Sequence, residues 1–304
     1  MQLLVTGASG FVGTAFVRAA LAAGHAVRAP FRGTPPAHPD IEAVPGPDLA
    51  QPHDWAPLLE GVDAVVHLAG IAHVGPDVSE ADYDRVNHRA TAALAQAAAR
   101  AGIRFVFISS IRAQSGPAAD HVLRETDPPH PTDAYGRSKL AAEHAVAAAG
   151  GPFTILRPVL VYGPGPKGNL GALARLAGWP LPLPFARFDN RRSLVGIDNL
   201  VAAILFALDA PQALGQTYIV ADPDALTLAD IIRVLRQAHG HAAALWPLPP
   251  PLLKRVLTIS GRETLWLRLG GSLVADPGKL IGAGWQPRHD TAAGLRAMVQ
   301  AASP

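Results

Sequence analysis

The chain has 304 residues, 49% hydrophobic and 16% charged, with a net charge of +2. That suffices for one large domain or two closely joined ones around a substantial core, while basic residues scattered in runs no longer than the pair in NRRS give no footprint for nucleic acid. Cysteine is absent, which excludes disulfides, thiolate metal sites and cysteine nucleophiles; no apolar run approaches the roughly 18 residues of a membrane span, and MQLLVTGASG lacks the basic leader of a signal peptide, so a cytoplasmic enzyme with no membrane partner is the default expectation.

Gln2 to Thr6 reads as a short strand, Gly7 to Gly13 as a glycine-punctuated turn, and Thr14 to Ala23 as an alanine-rich helix closed by Gly24. The unit then recurs. Strands are expected at His25–Pro30, Ala64–Leu68, Arg104–Ser109 and Phe153–Arg157, and helices around Pro57–Leu59, Tyr83–Ala101 and Ala134–Ala149. Alternating strands and helices imply an α/β fold, a Rossmann-type doubly wound parallel sheet covered on both faces. After Tyr162 the segments GPGPKGN, WPLPLPF and WPLPPPLL break the alternation. Apolar residues continue on both sides of the proline runs, which favours loops and helix starts over a free polyproline ligand. Gln216 to Ala221 reads as a strand that returns to the sheet. No internal repeat is present.

TGASGFVG places glycines at 7, 10 and 13 directly after the first strand and opening the first helix, with Phe11 and Val12 between them as expected cofactor-binding positions. Gly7 permits the tight turn, Gly10 lets the backbone approach a pyrophosphate, and Gly13 allows close helix packing, while the helix N-terminus offers free N–H groups to the anion. This context predicts a dinucleotide. The expected organisation is a dinucleotide-binding Rossmann domain over 1–161 and about 194–222, with a smaller, interleaved C-terminal substrate-binding domain over about 162–193 and 223–304. At the end of the second strand, where an acidic residue usually binds the adenosine ribose, the chain has Phe31 and Arg32. Arg32 can pair with a 2′-phosphate, which leans NAD(P) toward NADP; a solvated surface arginine is the alternative.

TDAYGRSK sets Tyr135 and Lys139 one helical turn apart. Locally this is either an ordinary exposed pair or an acid/base. A tyrosine titrating near 10 is a poor base at neutral pH, and an ammonium together with a positive nicotinamide ring favours its phenolate. The strand end FVFISS supplies Ser109 and Ser110 where parallel sheets place ligands.

TGASGFVG, Asp48 and Leu49, HLAG at 67 to 70, Asn87 in RVNHRAT, FISS, YGRSK and LRPVLVYGPG occur together and in order. Over essentially its whole length the chain resembles the extended short-chain dehydrogenase/reductases of the NAD-dependent epimerase/dehydratase group. The resemblance implies Tyr135 as acid/base, Lys139 as its electrostatic partner and holder of the nicotinamide ribose, and Ser110 as donor to the reacting oxygen. It implies adenine contacts at Asp48 and Leu49, and cofactor-lining positions at Leu68, Ala69, Gly70 and Asn87. KGNLGALARL and NRRSLVGIDNLVAAI resemble the members acting on nucleoside-diphosphate sugars, with Asn169 and Arg192 at diphosphate or sugar positions, Arg268 as a weaker candidate, and Leu273 either bordering the sugar or in plain core.

The family's 4,6-dehydratases carry an acidic pair directly after the catalytic Ser or Thr; here those positions are Ile111 and Arg112, which disfavours dehydration. The expectation is therefore a UDP-hexose 4-epimerase or a 4-ketohexose reductase supplying polysaccharide precursors. A reductase of a non-sugar carbonyl, or a non-catalytic dinucleotide sensor, is the alternative. The family's usual substrate-side asparagine is replaced by Leu160, and the intact Ser110, Tyr135 and Lys139 disfavour the sensor. By the same resemblance the protein is expected to be a homodimer.

Overall fold

QLLVT forms the first strand, β1 (Gln2–Thr6), in which Leu3, Leu4 and Val5 are wholly buried, as a strand covered on both faces requires. It is an interior strand of a seven-stranded sheet completed by β2 (Ala26–Phe31), β3 (Ile41–Pro45), β4 (Ala64–His67), β5 (Arg104–Ile108), β6 (Phe153–Pro158) and β7 (Gln216–Val220). Every pairing is parallel and the order is β3-β2-β1-β4-β5-β6-β7. The order reverses between β1 and β4, which are in register at Thr6 and His67, so the ligand crevice of such a sheet falls at their carboxyl ends. The computed structural model describes residues 1–33, 40–72, 78–165, 168–259, 261 and 270–301, with side chains at 168, 169, 253, 254, 256 and 257 left out. Among the described residues no helix is long and apolar enough to cross a membrane.

Two expected helix starts move and one strand is unexpected, each for a local reason. Helix α1 (Phe11–Ala22) starts at Phe11, because Gly10 in an extended conformation serves as its N-cap. The expected helix at Tyr83–Ala101 is instead three pieces: α3 (Glu80–Tyr83), a π-helical turn (Asp84–Arg89) and α4 (Ala90–Arg100). A capping box between Ser79 and Asp82 starts it early, following the short α2 (Ala56–Leu59) of the preceding crossover. The edge strand β3 has no strand-like sequence signal, since its residues are exposed or only half-buried.

One face of the sheet packs on α1 and α7 (Ile197–Asp209) through Phe16, Val17, Leu200 and Ile204. The other packs on α4 and α5 (Ala134–Ala148), where Leu94, Ala98, Ala142 and Val146 meet Leu4, Val65, Phe105 and Phe107. A further cluster joins α6 (Gly168–Ala177), α8 (Leu228–Ala238) and the helix Thr291–Gln300 through Leu173, Ile232, Leu235 and Leu295. The returning strand β7 pairs with β6, and Asp222 just beyond it accepts from the Tyr162 hydroxyl at 2.7 Å, from Asn199 Nδ2 at 2.7 Å and from the Gly196 N–H at 3.0 Å. The two proline-rich segments run side by side: Leu183 and Leu245 form a bridge, and the Trp246 N–H donates to the Leu183 carbonyl at 3.0 Å.

Candidate active site

The glycine turn is shaped by backbone contacts that no Cβ could survive. Gly7 has φ +73°, and a Cβ there would lie 2.7 Å from the Ala69 N. At Gly13 it would lie 2.1 Å from the Gly7 carbonyl oxygen. Gly10, by contrast, is exposed at the mouth of α1, and no side chain caps the first turn. The N–H groups of the first helical turn therefore face an open approach, a cradle that fits an anionic pyrophosphate. Phe11 is 47% exposed, and its ring edge stands beside Gly163 in the loop after β6.

The close approach of Gly7 brings the segment after β4 to the cradle. Leu68 and Ala69 are half-buried and Gly70 is exposed. Asn87, 1% exposed on the π-helical turn, fixes this segment: its Oδ1 accepts from the Ile71 N–H at 2.7 Å, and its Nδ2 donates to the Ile71 carbonyl at 2.9 Å. Beneath it runs a chain of hydrogen bonds not anticipated from the sequence. The Ala69 N–H donates to Thr6 Oγ1 at 3.3 Å, Thr6 Oγ1 meets His67 Nδ1 at 2.7 Å, and His67 Nε2 meets Thr91 Oγ1 at 2.9 Å. Thr91 in turn donates to the Asn87 carbonyl at 2.7 Å, so it accepts from His67 and the Nε2 of that ring carries a proton. Burial, with the nearby Lys139 charge adding to it, lowers the His67 titration to about 3.

Of the residues expected to meet the adenosine, Arg32 and Asp48 are exposed and Leu49 is half-buried against the α4–α5 core. The Asp48 carboxylate already accepts from the Ala50 N–H at 3.0 Å.

Ser110, Tyr135 and Lys139 come together at the carboxyl end of β5. Ser110 opens a 3-10 turn (Ile111–Ala113), and Tyr135 sits in the first turn of α5, capped by Asp133 accepting from the Gly136 N–H at 2.7 Å. The helix meets that turn closely, because a Cβ on Gly136 would lie 2.3 Å from the Arg112 carbonyl oxygen. Ser110 and Tyr135 are hydrogen-bonded through their hydroxyls. Burial pushes the Tyr135 phenol above its ordinary titration, while the Ser110 bond pulls it down; Asp133 and Tyr83 push it up, and Arg112 pulls it down. The Tyr83 ring stands edge-on to that of Tyr135, centroids 5.9 Å apart. Lys139 is 6% exposed and donates to the Ile108 carbonyl at 2.7 Å, with its ammonium 4.3 Å from the centre of the Phe107 ring. Burial lowers its titration to about 7, with Glu143 opposing.

Under these groups lies a buried polar cluster. Ser109 donates to Glu143, Glu143 is paired to Arg157 at 2.5 Å, and Arg157 Nη1 donates to Gln114 Oε1 at 3.0 Å. Glu143, which the sequence reading did not single out, follows Lys139 by one helical turn in YGRSKLAAEH, a spacing that could have pointed to it.

On the substrate side, Arg192 is half-buried on a two-residue strand paired to Leu226 and Thr227 and bridged to Leu273. A Cβ on Gly271 would lie 3.7 Å from Arg192 Nη2 and 2.8 Å from Ala118 Cβ. Gly271 is thus close both to Arg192 and to Ala118 in the loop that follows the Ser110 turn, and burial lowers the Arg192 titration. Leu273 is 6% exposed and belongs to the main core. Asn169 lies in α6, its side chain outside the described residues, as is the whole of Arg268. Leu160 is 51% exposed.

Residues 3–221 match the model of the NAD dependent epimerase/dehydratase family. The UDP-glucose 4-epimerase of Vibrio cholerae is 34% identical over 99% of this chain and 95% of its own length. The ceramide reductase of Caulobacter vibrioides is 30% identical over 87% of this chain and 78% of its own. Among solved structures, MoeE5 in complex with UDP-glucuronic acid and NAD superposes with a TM-score of 0.78 at 25% identity, covering 99% of this chain and 98% of that one. With residues 3–221 covered by the family's model and a full-length relative 34% identical, the chain is an enzyme of the NAD-dependent epimerase/dehydratase family.

Proposed function

We propose that the protein is a nicotinamide-dependent oxidoreductase working at carbon 4 of a UDP-hexose, and that its reaction is 4-epimerisation. The observation that carries this reading is the hydrogen-bonded pair of Ser110 and Tyr135 beside the buried Lys139, at the strand ends next to the glycine cradle. The full-length similarity to an enzyme named UDP-glucose 4-epimerase supports the substrate class, and the UDP-sugar and NAD bound by MoeE5 support both partners.

The N–H groups around Gly7, Gly10, Phe11, Val12 and Gly13 would hold the pyrophosphate, with Leu68, Ala69, Gly70 and Asn87 along the nicotinamide half and Arg32, Asp48 and Leu49 at the adenosine. Lys139 would hold the nicotinamide ribose. When bound, the dinucleotide supplies the hydride acceptor and donor that no side chain provides. Tyr135 takes the proton of the C4 hydroxyl and later returns it, and Ser110 donates a hydrogen bond to the same oxygen. Arg192, with Asn169 and Arg268 as further candidates, holds the diphosphate; a guanidinium fork suits its oxygens. Ile111 is buried and Arg112 is a cation, so neither serves as the acid or base that elimination of water needs.

A second reading is an NADPH-dependent 4-keto reductase, favoured by the exposed Arg32 where an acidic residue would bind the ribose of NAD. One experiment separates the two: denature the purified protein, identify any released nucleotide, and incubate fresh enzyme with UDP-glucose. Retained NAD and formation of UDP-galactose are expected. An empty site, preference for NADPH and no epimerisation would establish the reductase instead, and turnover only of carbonyls lacking a nucleotide would refute both sugar readings.

A further inference from the structure

The segment after β4 and the helix of Tyr135 and Lys139 meet at a buried residue that the chemistry above does not use. Ser138 lies between those two residues on α5 and is 6% exposed. Its hydroxyl donates to the Tyr135 carbonyl at 2.7 Å and accepts from Asn87 Nδ2 at 3.2 Å. The Ile71 peptide fixes which way round that amide lies: Asn87 Oδ1 takes the Ile71 N–H and Nδ2 donates to the Ile71 carbonyl, which leaves the second Nδ2 hydrogen for Ser138. Asn87 itself stands on the π-helical turn between α3 and α4, a distortion frequent at functional sites. Gly70 presses on the same amide, since a Cβ there would lie 2.8 Å from Asn87 Oδ1.

We propose that Ser138 is a positioning residue: through Asn87 it couples the segment 68–71 to α5, so that the nicotinamide half of the dinucleotide is held at a fixed place relative to Tyr135 and Lys139. The proposal rests on the reading that this segment and α5 flank the nicotinamide, but its test needs no sugar.

A serine hydroxyl bonded to a carbonyl three residues back is common in helices and does no more than hold the side chain in. The bond from Asn87 is different, because it joins residues 51 apart in the chain. The segment is tied to β1 by the Ala69 N–H on Thr6 Oγ1, and Asn87 is tied to α4 by Thr91 on its carbonyl. The Ser138 bond joins this assembly to α5. Removing the hydroxyl leaves an Nδ2 hydrogen buried without its acceptor and lets segment and helix shift against each other. That slack must be taken up when the nicotinamide half is ordered, which lowers its affinity. The expected adenosine positions 32, 48 and 49 follow β2 and β3, on the other side of β1, and are spared.

The full-length protein, freed of any nucleotide it carries, is titrated with NADH, whose fluorescence comes from the dihydronicotinamide, and with ADP, which has only the adenosine half. Ser138→Ala is expected to weaken NADH binding about tenfold, the equivalent of ~1.4 kcal/mol, and to leave ADP binding within about twofold of the parent. A purely structural role would weaken both ligands together or neither, and either result overturns the proposal. Ser138→Thr keeps the hydroxyl and should restore NADH affinity. Where its extra methyl does not fit, the cycle with Asn87→Ala decides: the double variant Asn87→Ala/Ser138→Ala should bind NADH no more weakly than Asn87→Ala alone, and additive losses overturn the coupling. A parent chain that binds ADP as tightly as NADH would instead remove the nicotinamide site on which the proposal rests, a result distinct from any behaviour of the variants.

Discussion

Arg157→Met measures how much of the fold around Tyr135 and Lys139 depends on one buried ion pair. The side chains of Arg157 and Glu143 are 8% and 3% exposed. Nε of Arg157 donates to the two carboxylate oxygens at 3.0 and 3.1 Å, Nη2 to Oε2 at 2.5 Å, and Nη1 to Gln114 Oε1 at 3.0 Å. Without the guanidinium, the carboxylate keeps the Ser109 hydroxyl and Gln114 loses a buried donor. Breaking a buried pair from one side costs about 3–5 kcal/mol, and relaxation around the smaller methionine offsets part of the Gln114 loss, so about 4 kcal/mol is expected. At about 2–4 °C per kcal/mol for a large domain, that lowers Tm by roughly 8–16 °C. The double variant Glu143→Met/Arg157→Met leaves no unpaired charge and should cost less than Arg157→Met alone. Urea unfolding followed by tryptophan fluorescence, with thermal melts in parallel, reads both. A loss below about 1 kcal/mol in the single variant, or additive losses in the double, would refute the view that the pair's weight lies in charge compensation.

Tyr135→Phe should leave dinucleotide binding intact, read by fluorescence titration, and lower turnover by about 10²–10⁴-fold, the usual share of one acid/base group; unchanged turnover would remove Tyr135 from the chemistry. Gly13→Ala should abolish dinucleotide binding or folding, because its Cβ would lie 2.1 Å from the Gly7 carbonyl oxygen; a folded variant with parent affinity would show that the cradle is not built as described. His67 takes a proton near pH 6.5 when unfolded and only near 3 when folded, so its contribution to stability is complete above about 6.5 and is lost as pH falls toward 3. Urea titrations between those limits should show a loss of about 1.4 kcal/mol per pH unit that His67→Gln removes. Arg192→Ala should raise KM for a UDP-sugar far more than it lowers kcat, and an equal loss on a substrate without phosphate would argue against a diphosphate contact.

The sheet was legible because its strands are short runs of Val, Leu, Ile and Phe between glycine turns, and burial on both faces gives them that composition. The Ser, Tyr and Lys positions stood out for a different reason: TDAYGRSK alone left an ordinary exposed pair open, and the ordered set of motifs that resembles the family singled them out. What was not legible is carried by contacts between distant segments. β3 is an exposed edge whose strand character comes from pairing with β2. The π-helical turn that aims Asn87 at Ile71 follows from packing between the crossover and α5 and has no composition of its own. The links from His67 to Thr6 and Thr91, and from Glu143 to Arg157, join residues far apart in the chain whose individual types are unremarkable. Asn169 and Arg268 read as substrate positions from resemblance alone, and their side chains are not described.

The strand end after β5 explains why chemistry and support can stand so close together without interfering. Successive residues of an extended chain point to opposite sides. Ser109, 3% exposed, turns into the protein and binds Glu143, while its neighbour Ser110 is half-exposed and meets Tyr135. Helix α5 repeats the division along its buried face: Tyr135 reaches the crevice, Lys139 lies one turn deeper against the Ile108 carbonyl, and Glu143 one turn deeper again against Arg157. An ammonium buried as Lys139 is would be hard to keep charged; Glu143 opposes that desolvation, and Arg157 keeps the carboxylate itself from being unmatched. The ion pair thus holds both ends of the Ser110–Tyr135 hydrogen bond, one through Ser109 and the other through α5. Loosening it should blur the distance between the two hydroxyls before it unfolds the sheet.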